Sequence, residues 1–162
     1  MELLIGFGGN TGDVASAFAA ALEGLAPVGT VLARSSIWRS SALGPPQEDF
    51  INAVALVRTA AGPHAILALC RRLEADAGRV RAARWGPRPL DLDLLIAPGL
   101  VVRSADLALP HPRLAERRFA LAPAAEVAPD WLHPERRRTL AELAASPEIA
   151  AQRCDRLGPW TD

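Results

Sequence analysis

The sequence predicts an α+β fold: a mainly antiparallel central sheet covered by helices, in a ferredoxin-like three-layer α/β/α arrangement. Three observations carry this. Short apolar, β-branched runs recur along the chain, and stretches with helical spacing lie between them. Their order is strand, helix, strand, strand, helix, strand, the split β-α-β pattern. The length of 162 residues, 50% hydrophobic and 22% charged, suits one globular domain, since domains most often hold roughly 100–150 residues. Residues 1–162 are therefore read as a single domain.

Leu3 to Phe7 is an apolar run that stops at Gly8-Gly9, as a buried strand does. Asp13 is a good N-cap for the alanine-rich helix Val14 to Leu25. Gly29 opens a second β-like segment, Thr30 to Arg39, and Ser40 to Asp49, with Gly44, Pro45 and Pro46, is a loop. Phe50 to Thr59 alternates and is β-branched, giving a third strand. Pro63 suits a helix start, and Ile66, Leu67, Leu69, Cys70 and Leu73 mark an apolar face running to about Ala77. Gly78 to Pro89 reads as a second loop and Leu90 to Ile96 as a strand. Short proline-punctuated elements follow, ending in a helix near Leu140 to Ala145.

All 18 basic residues are arginine, balanced by 18 acids, and there is no tyrosine. Without lysine there is no Walker A loop, no kinase-type phosphate lysine and no Schiff base. A zero net charge argues against a partner made of nucleic acid phosphates. Cys70 and Cys154 stand alone in sequence, which suits a reducing compartment, and His64, His111 and His133 have no zinc-type spacing. No secretory or membrane-spanning segment is visible, so a cytoplasmic location is expected.

The chemistry concentrates in Gly78 to Leu95. Along the strand Leu90-Asp91-Leu92-Asp93-Leu94 side chains alternate, so Asp91 and Asp93 share one face and the leucines the other. Carboxylates about 7 Å apart along a strand are well placed to hold divalent cations, magnesium above all, with phosphate and water completing the shell. A polar face on an edge strand is the plain alternative. Arg79, Arg81, Arg84 and Arg88 precede the pair, and guanidinium groups beside metal-binding acids are what a nucleoside triphosphate needs. Trp85 is a large apolar residue on a charged loop, placed to cover or stack on a ligand.

The string Arg84-Trp85-Gly86-Pro87-Arg88 followed by Asp91, Asp93 and Leu94 resembles the signature of the 6-hydroxymethyl-7,8-dihydropterin pyrophosphokinase family. Gly8-Gly9-Asn10 resembles that family's G-S-N. Leu43-Gly44-Pro45 with Phe50-Ile51-Asn52 resembles its pterin loop and third strand. Pro110-His111-Pro112 and Glu116-Arg117-Arg118-Phe119 resemble its P-H-P and E-R-x-F segments. The likeness covers roughly residues 3 to 132. It departs at Gly9, where the family has serine, at Ser40-Ser41-Ala42, where T-x-P is usual, and at Phe50, where tyrosine is common.

The resemblance implies transfer of pyrophosphate from ATP to the pterin's hydroxymethyl oxygen, leaving AMP. By similarity, Asp91 and Asp93 would hold two Mg2+ ions, with Arg79 and Arg88 completing the catalytic group. Glu74, Arg79, Arg81, Arg88, His111 and Arg117 match ATP contacts, although Glu74 reads equally well as a surface helix charge. Ser40, Ser41, Leu43, Phe50, Asn52, Trp85 and Phe119 match the pterin side, with Trp85 and Phe119 sandwiching the ring and Asn52 pairing with its edge. The loop Arg79 to Pro89 is expected to close over both substrates. The partners implied are small molecules, with no nucleic acid or membrane, and the protein is expected to be a monomer. Two other classes compete: a catalytically silent pterin- or nucleotide-binding homologue, and an RNA-binding ferredoxin-like module. The Asp91/Asp93 pair with Arg88 argues against the first. A third strand without an aromatic run argues against the second.

Overall fold

The structure, a computed structural model, describes residues 1–42, 44, 46–78 and 86–161. Strand β1 (Glu2–Gly9) leads into helix α1 (Val14–Leu25), which Asp13 caps by accepting from the Ser16 backbone N–H at 3.0 Å. Strands β2 (Gly29–Arg34), β3 (Ser36–Ser40) and β4 (Phe50–Thr59) follow, then α2 (Pro63–Asp76) and β5 (Asp91–Ile96). The remainder holds two short hairpins, β6 (Val102–Arg103) with β7 (Ala108–Leu109) and β8 (Leu132–His133) with β9 (Arg138–Thr139). Helices α3 (Arg118–Val127), α4 (Leu140–Ala144) and α5 (Pro147–Ala150) and strand β10 (Cys154–Pro159) complete it.

The main sheet runs β10-β3-β4-β1-β5, with β2 also paired to β4, and these pairings are antiparallel. Ignoring β10, this is the split β-α-β order expected from sequence. Two apolar clusters fill its two faces. Phe18, Leu25, Ile66 and Cys70 from α1 and α2 pack on Leu3, Ile5, Phe7, Leu92 and Leu94. On the opposite face Leu121, Leu140 and Leu143 from α3 and α4 pack on Leu4, Val54, Leu95 and Ile96. Burial of each large side chain contributes about 1.5–3 kcal/mol, so the alternation along each strand fixes which face meets which helix pair. Burial, then the Glu74 and Asp93 carboxylates, push the Cys70 thiol up to about 12, which makes it an inert core residue. Among the described residues no helix is long and apolar enough to cross a membrane.

One expectation is corrected. The segment read as one strand from Thr30 to Arg39 is two, broken at the buried Ser35. The Ser35 hydroxyl donates to Ser36 O at 2.7 Å and accepts from Val54 N at 2.9 Å, replacing a ladder bond with a side-chain one. The last thirty residues, which the resemblance does not cover, complete the sheet and its core. β10 extends the sheet beyond β3. Trp160 meets Phe7 and Phe18 edge to face, with ring centroids 5.0 and 5.5 Å away.

Candidate active site

The site opens on the face of the sheet that carries α3. Strand alternation sets Asp91 and Asp93 on that face while Leu92 and Leu94 turn into the core. Register supplies the floor: Asp93 lies opposite Gly6, Asp91 opposite Gly8, and Gly8 opposite Asn52. A Cβ at Gly8 would sit 3.7 Å from both Asn52 Oδ1 and the Asp91 Cβ. The missing side chains at Gly6 and Gly8 leave a trough between the acids and Asn52. That trough is part of a cavity of about 260 Å³, lined also by Ser40, Ser41, Phe50, Arg88, Arg117 and Phe119.

Part of the cavity lining is ionic. The Arg88 guanidinium donates to Asp91 Oδ2 at 2.9 Å and lies 5.7 Å from the Phe50 ring centroid. Arg117 stands 5.4 Å over the Phe119 ring. Burial, reinforced by the Arg113 cation, lowers the Arg117 pKa from its ordinary value, while Asp93, Glu116 and Asp91 act in the opposite direction. Two guanidinium groups therefore face two carboxylates within one hollow. Phe50 and Phe119, against which these guanidinium groups lie, and the buried Asn52 give the same cavity aromatic faces and an amide. The Asn52 amide donates to Ser40 Oγ at 2.9 Å and to Phe50 O at 3.3 Å, which fixes its orientation.

Among the described residues no group of three or more His, Cys, Asp and Glu side chains is placed to hold a metal ion. The Asp91/Asp93 pair is nevertheless a hard oxygen donor set beside an open cavity. That fits magnesium, which takes one or two carboxylates and completes its shell with phosphate and water oxygens.

Of the residues singled out by sequence, the fold gathers Asp91, Asp93, Arg88, Arg117, Ser40, Ser41, Phe50, Asn52 and Phe119 around this cavity. Arg79, Arg81, Trp85 and Leu43 lie outside the described residues, as does most of the segment expected to close over the substrates. His111 does not line the cavity. Its ring Nδ1 accepts from Arg113 N at 3.1 Å, so the ring proton sits on Nε2. Sequence reasoning overlooked the floor, although glycines at alternate positions of one strand are its signal.

Glu74 is neither a surface helix charge nor a lining residue. It is 5% exposed, and its Oε1 accepts from the Leu92 backbone N–H at 2.8 Å, between the two aspartates. Its carboxylate thus braces β5 from below. Glu74→Ala, which leaves that N–H buried without this acceptor, should cost about 1–3 kcal/mol, or roughly 2–12 °C of melting temperature. Glu74→Gln keeps the acceptor and should lose less than half as much. Thermal unfolding of the two variants checks this, and equal losses would show that the backbone contact is not what matters.

A family profile described as 7,8-dihydro-6-hydroxymethylpterin-pyrophosphokinase (HPPK) matches residues 4–129. The chain belongs to this family. Within HPPK, it is 39% identical over 150 residues to the 2-amino-4-hydroxy-6-hydroxymethyldihydropteridine pyrophosphokinase of Synechocystis, covering 91% of this chain and 77% of that one. The protein of the same name from Methylorubrum extorquens is 44% identical over 129 residues, covering 78% and 82%. Among solved structures, wild-type HPPK-DHPS of Plasmodium falciparum superposes with a TM-score of 0.68 at 12% identity, covering 96% of this chain and 47% of that one. At that identity the likeness establishes the fold alone, and the chain spans just under half of that solved chain. Membership of HPPK sets aside the RNA-binding reading.

Proposed function

We propose that residues 1–162 work as one pyrophosphokinase domain whose cavity meets ATP with its charged groups and 6-hydroxymethyl-7,8-dihydropterin with its aromatic and amide groups. The protein is an ATP-dependent diphosphokinase of folate biosynthesis. The observation that carries the site assignment is the meeting of two kinds of group in one cavity. Asp91, Asp93, Arg88 and Arg117 supply charge, and Phe50, Phe119 and Asn52 supply aromatic faces and an amide.

In the reaction, the pterin hydroxyl oxygen forms a bond to the β-phosphorus of ATP as the bond from that phosphorus to the α–β bridging oxygen breaks. AMP leaves with the bridging oxygen, and the hydroxyl proton is lost. Little covalent chemistry falls to the protein, so its task is positioning and charge neutralisation. Arg88 and Arg117 would bind phosphate oxygens, Arg88 by the planar fork that suits them. Phe50 and Phe119 would pack on the heterocycle while Asn52 reads its edge. By resemblance, Arg79 and Arg81 add phosphate contacts, and Trp85 and Leu43 add pterin contacts. His111 Nε2–H is a donor suited to the nucleotide. Two magnesium ions held by Asp91 and Asp93 would neutralise phosphate charge and make the attacking hydroxyl more acidic. All these groups come from one chain, as a monomer acting on small molecules requires, and the enzyme is proposed to be cytoplasmic.

Incubation with ATP, Mg2+ and the reduced pterin alcohol should yield AMP and the pterin diphosphate in equal amounts. ADP in place of AMP would make it a different phosphotransferase. Binding of both substrates without product would make it a silent homologue.

A further inference from the structure

Asn10 lies at the end of β1, is 7% exposed and does not line the cavity. It meets two segments that are remote from each other in sequence. Its backbone N–H donates to Arg88 O at 2.9 Å, and its side-chain Oδ1 accepts from Arg88 N at 2.9 Å. Its side-chain Nδ2 donates to Glu48 O at 3.0 Å and to Gln47 Oε1 at 2.9 Å. The amide cannot be reversed, because Arg88 offers a backbone N–H on one side and Glu48 a backbone carbonyl on the other. Gly9 makes the approach possible: a Cβ there would sit 2.5 Å from Pro89 O. The departure from G-S-N at Gly9 thus has a steric reason in this chain.

We infer that Asn10 is a positioning residue that holds both substrate subsites with one amide, Arg88 on the phosphate side and residues 46–49 on the pterin side. This deepens the pyrophosphokinase reading and rests on it. A main chain pinned at Arg88 by two hydrogen bonds fixes where the guanidinium departs, and so its 2.9 Å contact with Asp91. On the other side, Gln47 and Glu48 lie just before Phe50, which carries a wall of the cavity. Backbone hydrogen bonds made by a buried amide are costly to lose, because water does not replace them.

Two variants separate the halves. Asn10→Asp keeps the acceptor for Arg88 N–H but turns a carboxylate oxygen toward the Glu48 carbonyl, so it loses the pterin-side tie alone. Asn10→Ala loses both side-chain ties. For Asn10→Asp the KM for the pterin, at saturating ATP, should rise at least about tenfold with kcat held within about threefold. For Asn10→Ala the pterin KM should rise similarly and kcat should also fall at least about tenfold. Amide hydrogen exchange reads the Arg88 contact without any turnover. Exchange at the Arg88 N–H, which donates to Asn10 Oδ1, should accelerate in Asn10→Ala only. A merely structural role would lower thermal stability without separating KM from kcat. The inference is overturned if both variants move KM and kcat alike, if neither moves them, or if exchange at Arg88 is unchanged in Asn10→Ala. Should the wild-type protein form no AMP while the exchange pattern holds, the pyrophosphokinase reading fails and the tie of Asn10 to Arg88 stands.

Discussion

Asp93→Ala is expected to lose at least about a hundredfold in kcat while the protein stays folded, the scale seen when one preorganised charge-stabilising group is removed. The acid faces the cavity beside Asp91, across from Gly6, and its strand neighbours Leu92 and Leu94 keep the strand in place through the core. Shortening the side chain leaves those contacts intact; it relieves repulsion between two carboxylates on one face and gives up the attraction to Arg117. The melting temperature should therefore change little. The same change at Asp91 also breaks the 2.9 Å contact with Arg88, which would confound the reading. Turnover is measured as AMP released, and folding by circular dichroism through a thermal melt. Near-normal turnover in Asp93→Ala would mean that the carboxylate pair does not carry the chemistry.

Arg88→Lys should lose roughly ten- to a hundredfold in kcat/KM, corresponding to about 1.5–3 kcal/mol for a hydrogen bond to a charged group. Lysine keeps the charge but not the planar fork, so its compact ammonium cannot offer phosphate the parallel pair of donors that a guanidinium does. The Arg88 side chain is 20% exposed, so water does not stand in for the lost donors. Arg136 is the control. It is 52% exposed and reaches Glu116 only at 3.9 Å, and exposed pairs of that kind contribute about 0–1 kcal/mol. Arg136→Ala should leave kcat/KM within about twofold. Similar losses at Arg88 and Arg136 would mean that the effect reflects overall charge and not a site.

The carboxylate pair was legible in sequence because a strand has a period of two, and nothing beyond that period is needed to put Asp91 and Asp93 on one face. The aromatic and amide residues of the pterin side were reached through resemblance, and the fold gathers the described ones around one cavity. The burial of Glu74, which overturns only the surface-charge alternative, escaped because a helix position gives no sign of what lies against it. α2 packs on β5, and only that packing turns the carboxylate onto the Leu92 N–H. The break at Ser35 escaped because a serine in a β-branched run looks like any other strand residue until its hydroxyl meets Val54 on a neighbouring strand.

By itself, then, the sequence determined the strand, helix, strand, strand, helix, strand order of the first 96 residues apart from the break at Ser35, the face on which the two aspartates stand, and the family to which the chain belongs. These depend on local periodicity and on short motifs, which neighbouring residues encode. Tertiary structure alone decided that Gly6 and Gly8 would floor a cavity and that β10 and Trp160 would complete the sheet and its core. It alone decided that Glu74 would brace the strand carrying the acids, and that Asn10 would join Gln47 and Glu48 to Arg88. Each of these rests on a contact between segments far apart in the chain, 78 residues for Asn10 and Arg88. Such contacts form only when burial of the two apolar clusters brings the strands into register.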